Sequence, residues 1–416
     1  NGDCSMSELN FTHSNGNKVK LTTPDTLAAN KTFKLPGTDG SGGQVLQTDG
    51  SGALSFVQPQ SHRRLNYNGA MLVNQRGNST GATQFFKYHG PDRYYSQGET
   101  SNNGTWDIGQ STDVPDGYGF KYSLDYSCTA TSSNANRYLM TVYRMEGFDS
   151  QVFNYGTANA KTVTLSFWIK CSKAGNFQVN FENEQNPDQG YQTQQTISSA
   201  NTWEKKVVTI PGDTTKAFTW TSAKAMCFDI MYSAYGNYAN ATPTAAWSAL
   251  ANGQRGTHCN MDLFDSTSNY VRITGVQFEL GSHATDFEHL PYSVELERCR
   301  RYYQTLPSGL ISVRMAQDTT YSNAGMQSTF ILPTPMRNSP SLLNYSDGTN
   351  QITHTFYDGN YSNATNYELN MYGGIDANGA VQFRFNYSQA LNGGSSLGTQ
   401  FKFGISQDII AFEAEI

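Results

Sequence analysis

The residues of this sequence with the most evident chemistry are aromatics set among amides, hydroxyls and glycines. Such groups suit sugar recognition, where an aromatic face meets the C–H face of a pyranose ring and polar groups hold its hydroxyls. Trp106 in "NNGTWDIGQ" and Trp247 in "TPTAAWSAL" lie in stretches without strand alternation, as do Tyr232, Tyr235 and Tyr238 in "MYSAYGNYAN". Toward the C-terminus, "NYSDGTN", "FYDGNYSNATNY" and "MYGG" place Tyr345, Tyr357, Tyr361, Tyr367 and Tyr372 among Asn, Asp, Ser and Gly. Loops of that composition give large contact area at low entropic cost, as paratopes do. All ten are candidate ligand-binding residues. Trp168 and Trp203 fall within alternating stretches and read as core.

Catalytic chemistry has weaker support. Glu182, Glu184 and Asp188 cluster on and after a strand, and Asp262 and Asp265 flank a Phe. With 34 acidic residues in the chain, such groupings read as solvated strand-end charge rather than as an acid–base pair. No G-x-S-x-G, H-E-x-x-H or Cys/His nucleophile context occurs, and no catalytic residue, cofactor or metal is expected. The segment "LPGTDGSGGQVLQTDGSGALSF" (35–56) repeats TDGSG, supplying Asp39 and Asp49. One carboxylate per copy is far short of a calcium loop, so the repeat reads as turn chemistry. The 6 cysteines (Cys4, Cys128, Cys171, Cys227, Cys259, Cys299) show no zinc spacing and read as free thiols.

The elements that must position these groups are strands. Charged residues make up only 15% of the 416 residues and aromatics 13%, with 25 Tyr. Asn, Ser, Thr and Gly take up the balance, a composition that favours strands and turns. A net charge of -6 argues against nucleic acid as a partner. No run approaches the roughly 18 apolar residues of a membrane span.

Residues 1–62 hold short apolar pieces such as Val19-Lys20-Leu21, Val45-Leu46 and Leu54-Ser55-Phe56 between Asp-Gly and Ser-Gly steps. One copy offers hairpins with almost no core, so three intertwined copies are expected to form a thin β shaft. From 63 to 292 the texture changes. "TVTLSFWIKC" puts Val163, Leu165, Phe167 and Ile169 on one face, and Phe177, Val179 and Phe181 follow on the next strand. "TWEKKVVTI", "AMCFDIMYS" and "YVRITGVQFELG" also read as strands, which together indicate an antiparallel jelly-roll β-sandwich. "SVELERCRRYY" predicts a short helix with Ser293 as N-cap, a connector over 293–305. Residues 306–416 return to strands and predict a second β-sandwich as a tip. The fold class expected is therefore all-β throughout.

"NGAMLVNQRG" (68–77), "PDRYY" (91–95), "LSFWIKCSKAGNFQV" (165–179), "ITGVQFELGSHATDFEHLPYSVELERCRRYYQ" (273–304) and "LPTPMRNSP" (332–340) resemble tail-fibre and receptor-binding proteins of tailed bacteriophages. The TDGSG segment is similar to a repeat that precedes this module in fibres of marine and cyanobacterial phages. The resemblance spans about 33 to 340, with 273–304 its most specific part. It implies a homotrimeric fibre on the virion, outside the cell, with a central jelly roll similar to carbohydrate-binding modules and a distal domain that meets the host. The implied partners are two further copies of the chain, a host-surface glycan or outer-membrane receptor, and other tail proteins through an N-terminal anchor not evident here. The family pattern includes Arg76, Asp92 and Arg93, read as a structural ion pair or turn anchor. The expected role is adsorption to the host. A fibre without a specific receptor and a polysaccharide depolymerase are the alternatives.

Overall fold

The computed structural model describes residues 8–12, 16–22, 32–37, 39, 45–48, 51–57, 63–83, 85–99, 103–185, 189–305, 312–314, 316–318, 325–338, 341–344, 355–357, 368–371, 380–386, 400–402 and 410–415. Tyr345, Tyr361, Tyr367 and Tyr372 lie outside them, and Tyr357 is described only as the last residue of a strand, Thr355–Tyr357. The chain divides into two compact units, Asn1–Ser61 and His62–Ile416.

In the first unit, β1 (Glu8–Thr12) pairs antiparallel with β2 (Lys18–Thr22), and β3 (Val45–Thr48) pairs with β4 (Leu54–Val57). Thr48 faces Leu54 in the register, so the second TDGSG falls between β3 and β4. Lys34 bridges to Ala53 in parallel, its N–H donating to Gly52 O at 2.8 Å. Gly52 sits at φ +103°, and a Cβ there would fall 2.3 Å from Thr32 O, so the close approach of the two segments requires glycine. Phe33 and Leu35 remain 65% and 77% exposed.

The second unit is built on a β-sandwich. Its first six strands are β5 (Ser79–Ala82), β6 (Lys87–Tyr88), β7 (Tyr95–Gly98), β8 (Thr105–Ser111), β9 (Ser123–Ala130) and β10 (Tyr138–Glu146). The next six are β11 (Val163–Cys171), β12 (Gly175–Asn183), β13 (Gln189–Ile197), β14 (Glu204–Ile210), β15 (Lys224–Ala234) and β16 (Tyr270–Leu280). One sheet runs β13-β12-β15-β10-β7-β6 and the other β14-β11-β16-β9-β8-β5. All pairings within them are antiparallel. This is a jelly-roll type of sandwich, and among the described residues the protein is all-β apart from short helical turns and one longer helix.

Alternation decides what lies between the sheets. Val163, Leu165, Phe167 and Ile169 of β11 and Phe177, Val179 and Phe181 of β12 are all buried there. Rings meet across the gap, Phe167 with Phe177 at 6.2 Å and Phe181 with Phe278 at 6.0 Å. Each such side chain contributes roughly 2 kcal/mol by leaving water.

The outer face of the β12–β15–β10 sheet is covered by the segment between β15 and β16. Gln178 Nε2 donates to Gln254 O at 2.7 Å, and Asn180 Nδ2 to Arg255 O at 2.8 Å. Glu182, expected at a solvated strand end, is instead buried under Arg255, whose guanidinium grips both its oxygens. Glu184 does lie at the strand end, paired with Arg144 and Lys224. Asp188 is outside the described residues.

The helix α1 (Tyr292–Arg300) begins one residue before the expected start, after an extended Pro291 that takes the N-cap position. Ser293 is thus inside the first turn rather than capping it. The helix is docked on the sandwich: Glu295 is buried, bonded to the Arg64 guanidinium and to Asn68 N–H at 2.8 Å. After it, the strand Tyr303–Thr305 and the strand Ser341–Asn344 flank the C-terminal strand Ile410–Glu413. Two further small sheets follow, one of three strands and one of four, within residues 312–402.

The C-terminal strand is stitched to the sandwich by charge. Glu415 receives Arg76 Nη2 at 3.2 Å and also Arg93, while Glu413 receives Arg76 at 2.9 Å. Arg93 lies 3.4 Å over the Tyr302 ring, and Arg76 3.8 Å over Tyr303. Asp92 is bonded to Gln75 and lies 3.7 Å from Arg76. Arg76 and Arg93 are thus ion-paired with carboxylates more than 300 residues away, and Asp92 lies in the same network beside Arg76.

Candidate functional site

The outer face of the other sheet carries a cleft of about 560 Å³. Asp113 and Tyr118 reach it from the turn between β8 and β9, Trp168 and Lys170 from β11, and Thr202 and Trp203 from the approach to β14. Strand parity puts Trp168 there. The alternation that turns Phe167 and Ile169 inward turns Trp168 and Lys170 out. A bulge between β11 and β16 falls at this point, the register shifting between Ser166 and Trp168. It is made by Gly275 at φ +61°, where a Cβ would lie 2.5 Å from Phe120 and 3.1 Å from Trp168 Cδ1. Any other residue here would strain the backbone and press on Phe120 and, less closely, on the indole.

Asp113 is the hub of the polar groups. Its Oδ1 accepts from Trp203 Nε1 at 3.0 Å, and its Oδ2 accepts from Lys170 Nζ at 2.7 Å and Arg272 Nη1 at 2.6 Å. Arg272 also donates through Nε to Asp125, its cross-strand neighbour on β9. The Asp113 backbone is fixed on both sides: its N–H donates to Ser111 Oγ at 3.2 Å, and its C=O accepts from Ser123 Oγ at 2.7 Å. Partial burial pushes the Asp113 carboxyl up, but hydrogen bonds from Lys170 and Trp203 and the nearby Lys170 and Arg272 charges outweigh it. The group is held below the usual carboxylate range. Beside this hub, the Tyr118 and Trp168 rings lie 4.4 Å apart at 48°, forming one continuous aromatic wall. Tyr118 is 52% exposed, and His289 holds its backbone through Nε2 to the carbonyl at 3.0 Å.

None of the sequence-predicted site residues that the structure describes lies in this cleft. Trp106 is on β8, fully buried, donating to Asn103 O at 3.2 Å and set edge-on to Phe264. Tyr232 is likewise buried on β15, its hydroxyl 2.9 Å from Thr141 Oγ1 in a chain that continues to Tyr126 and Ser96. Both were read as loop residues because the alternation at their strand ends is short. Trp247 packs on the core edge-on to Tyr155 and Tyr191, with Nε1 donating to Pro211 O at 2.7 Å. Tyr235 and Tyr238 are half-buried in the segment that covers the first sheet. Arg137 stacks on Tyr235 at 3.8 Å, and Tyr138 on Tyr238 at 4.0 Å. Trp168 and Trp203, expected in the core, are the tryptophans that line the cleft.

A second recess of about 690 Å³, lined by Asn103, Thr105 and residues 130–134, is polar and has no aromatic wall. Among the described residues no group of His, Cys, Asp or Glu is arranged to hold a metal ion, and no helix is long and apolar enough to cross a membrane. The described cysteines are free thiols: Cys128, Cys171, Cys227, Cys259 and Cys299. Burial pushes Cys171 up to about 11.

No protein-family model matches the sequence, and no curated protein does. Solved structures similar to this one include the enzymatically active domain of tailspike protein 4 of bacteriophage CBA120, at 11% identity and a TM-score of 0.29, over 53% of this chain and 22% of that one. A family 30 carbohydrate-binding module matches at 12% identity and a TM-score of 0.25, over 53% of this chain and 94% of that one. The family 11 module of Clostridium thermocellum, solved with a mixed-linked tetrasaccharide, matches at 15% identity and a TM-score of 0.22, over 51% and 99%. Likeness at that level leaves the chemistry to be read from this chain's own side chains.

Proposed function

We propose that this chain is a homotrimeric fibre protein of a phage virion, acting outside the cell, and that it adsorbs to a host-surface glycan through the Asp113 cleft. The observation that carries the glycan reading is the aromatic wall of Tyr118 and Trp168 standing beside a fixed set of donors and acceptors on Asp113, Lys170 and Trp203. A pyranose ring offers an apolar C–H face and a rim of hydroxyls, and that wall and hub match the two sides. The trimer reading is supported by the first unit, where Phe33 and Leu35, on either side of the Lys34 bridge, and Val45 and Leu46, on the β3–β4 hairpin, stay exposed. Weak binding at each copy then gains avidity from the others.

The test is retention of the purified full chain on a glycan array and on host cells. Trp168→Ala is expected to cut retention roughly tenfold or more, the loss of a central aromatic contact. Saturable binding that Trp168→Ala leaves unchanged would move the site elsewhere, and no binding at all would refute the adhesive role. A monomeric mass in solution would refute the trimer.

A further inference from the structure

The cleft is rich in charge, yet its charges are matched within it. Asp113 and Asp125 supply two carboxylates, Lys170 and Arg272 two cations, and each of the four is bonded to another member of the set. At the rim, Asp116 adds a negative charge, and Lys205, opposite Trp168 in the register, a positive one. We propose that Asp113 is the specificity-determining residue of the cleft: by occupying Lys170 and Arg272 it restricts the site to uncharged saccharides and excludes those bearing uronate, sialate or sulfate groups. This rests on the glycan reading above.

The argument is one of donors already committed. An anionic sugar group needs a cation with a free donor directed at it. Of the three cations, Lys170 and Arg272 donate to the same Oδ2, at 2.7 and 2.6 Å, and Lys205 stands outside the cleft lining, opposite Trp168. An incoming carboxylate would have to displace Asp113 or sit against it, and like-charge contact in a partly desolvated cleft is strongly unfavourable. A neutral hydroxyl meets no such conflict. It can donate to a remaining lone pair of Asp113, which an ionised carboxylate or sulfate, having no proton to give, cannot do. The wall of Tyr118 and Trp168 takes the ring face whatever its charge, so discrimination falls to Asp113.

The test passes the full chain over an array of neutral hexose oligosaccharides and their uronate- and sulfate-bearing counterparts, at about 50 and about 300 mM salt. Wild type is expected on the neutral saccharides only, with retention the same at both salts. Asp113→Asn leaves one cation unmatched. It is expected to lose neutral binding and to gain retention on acidic saccharides by roughly fivefold or more, fading at the higher salt. Asp113→Asn with Lys170→Met restores the balance and is expected to abolish that gain, which separates charge from a disturbed loop. Wild-type retention on acidic saccharides that fades with salt would overturn the inference and leave the glycan reading standing. So would an Asp113→Asn variant with unchanged selectivity. Retention on no saccharide would overturn both.

Discussion

Replacing Glu415 with alanine is the sharpest stability test of how the C-terminal strand is fixed. Glu415 is 5% exposed and receives two guanidiniums, Arg76 and Arg93, themselves 8% and 1% exposed. Without it Arg76 keeps Glu413 at 2.9 Å and Asp92 at 3.7 Å. Arg93 keeps the Tyr302 and Tyr143 faces and a donation to Arg144 O at 2.7 Å, none of which carries a full negative charge. One guanidinium is then buried uncompensated, a change that costs about 3–5 kcal/mol. For a unit of this size that is a fall in melting temperature of roughly 4–7 °C. Glu413 provides the internal control. It is 30% exposed, and Glu413→Ala is expected to cost about 1 kcal/mol or less. Intrinsic-fluorescence melts of Glu415→Ala, Arg93→Met and the double variant measure the coupling, and the double variant is expected to melt above the additive sum. A Glu415→Ala melt within a degree of wild type, or strict additivity with Arg93→Met, would refute the reasoning.

Gly275→Ala is expected to cost about 1–3 kcal/mol, because it strains a left-handed backbone and drives a Cβ into Phe120 and Trp168. The same variant is expected to weaken glycan retention, and full retention would show that the bulge does not position the indole. Asp229→Asn tests the buried carboxyl beside Glu182. Burial, then the Glu182 charge, pushes Asp229 well above the usual carboxylate range, and its Oδ2 has no hydrogen-bond partner. A carboxyl raised in the folded state costs stability as the pH climbs above its unfolded value of about 3.9. The melting temperature of Asp229→Asn is therefore expected to equal wild type near the bottom of that range and to pull ahead toward neutral pH. A gap that narrows with rising pH would refute the assignment.

Much of the sandwich was legible because its strands alternate cleanly. The inward set of β11 and β12, from Val163 to Phe181, was read correctly residue by residue. The same alternation also contained the site. If Phe167 and Ile169 face in, Trp168 faces out, yet by residue type alone a tryptophan in an alternating stretch reads as core. Trp106 and Tyr232 failed for the opposite reason. Each sits at a strand end beside Asn, Ser and Gly, so loop composition masked a buried position. Glu182 was beyond local reading, since its cover, Arg255, is 73 residues away. The partners of Arg76 and Arg93 are 337 and 322 residues away, and no spacing rule announces a pair at that distance. Asp113 carried no motif at all. Its importance lies in three donors converging from three different elements.

The strand Tyr303–Thr305 and the strand Ile410–Glu413 are hydrogen-bonded neighbours, with Tyr303 opposite Glu413. The chain therefore leaves the sandwich and returns to it at positions about 5 Å apart. Everything between those strands begins and ends at one doorway, held by the Arg76 and Arg93 contacts whatever passes through it. Insertions are tolerated where the two ends already lie together. A gene built this way can trade the intervening segment by recombination in one piece, provided the newcomer brings its own strand to lie beside Ile410–Glu413 and its own donor for Ser222 O.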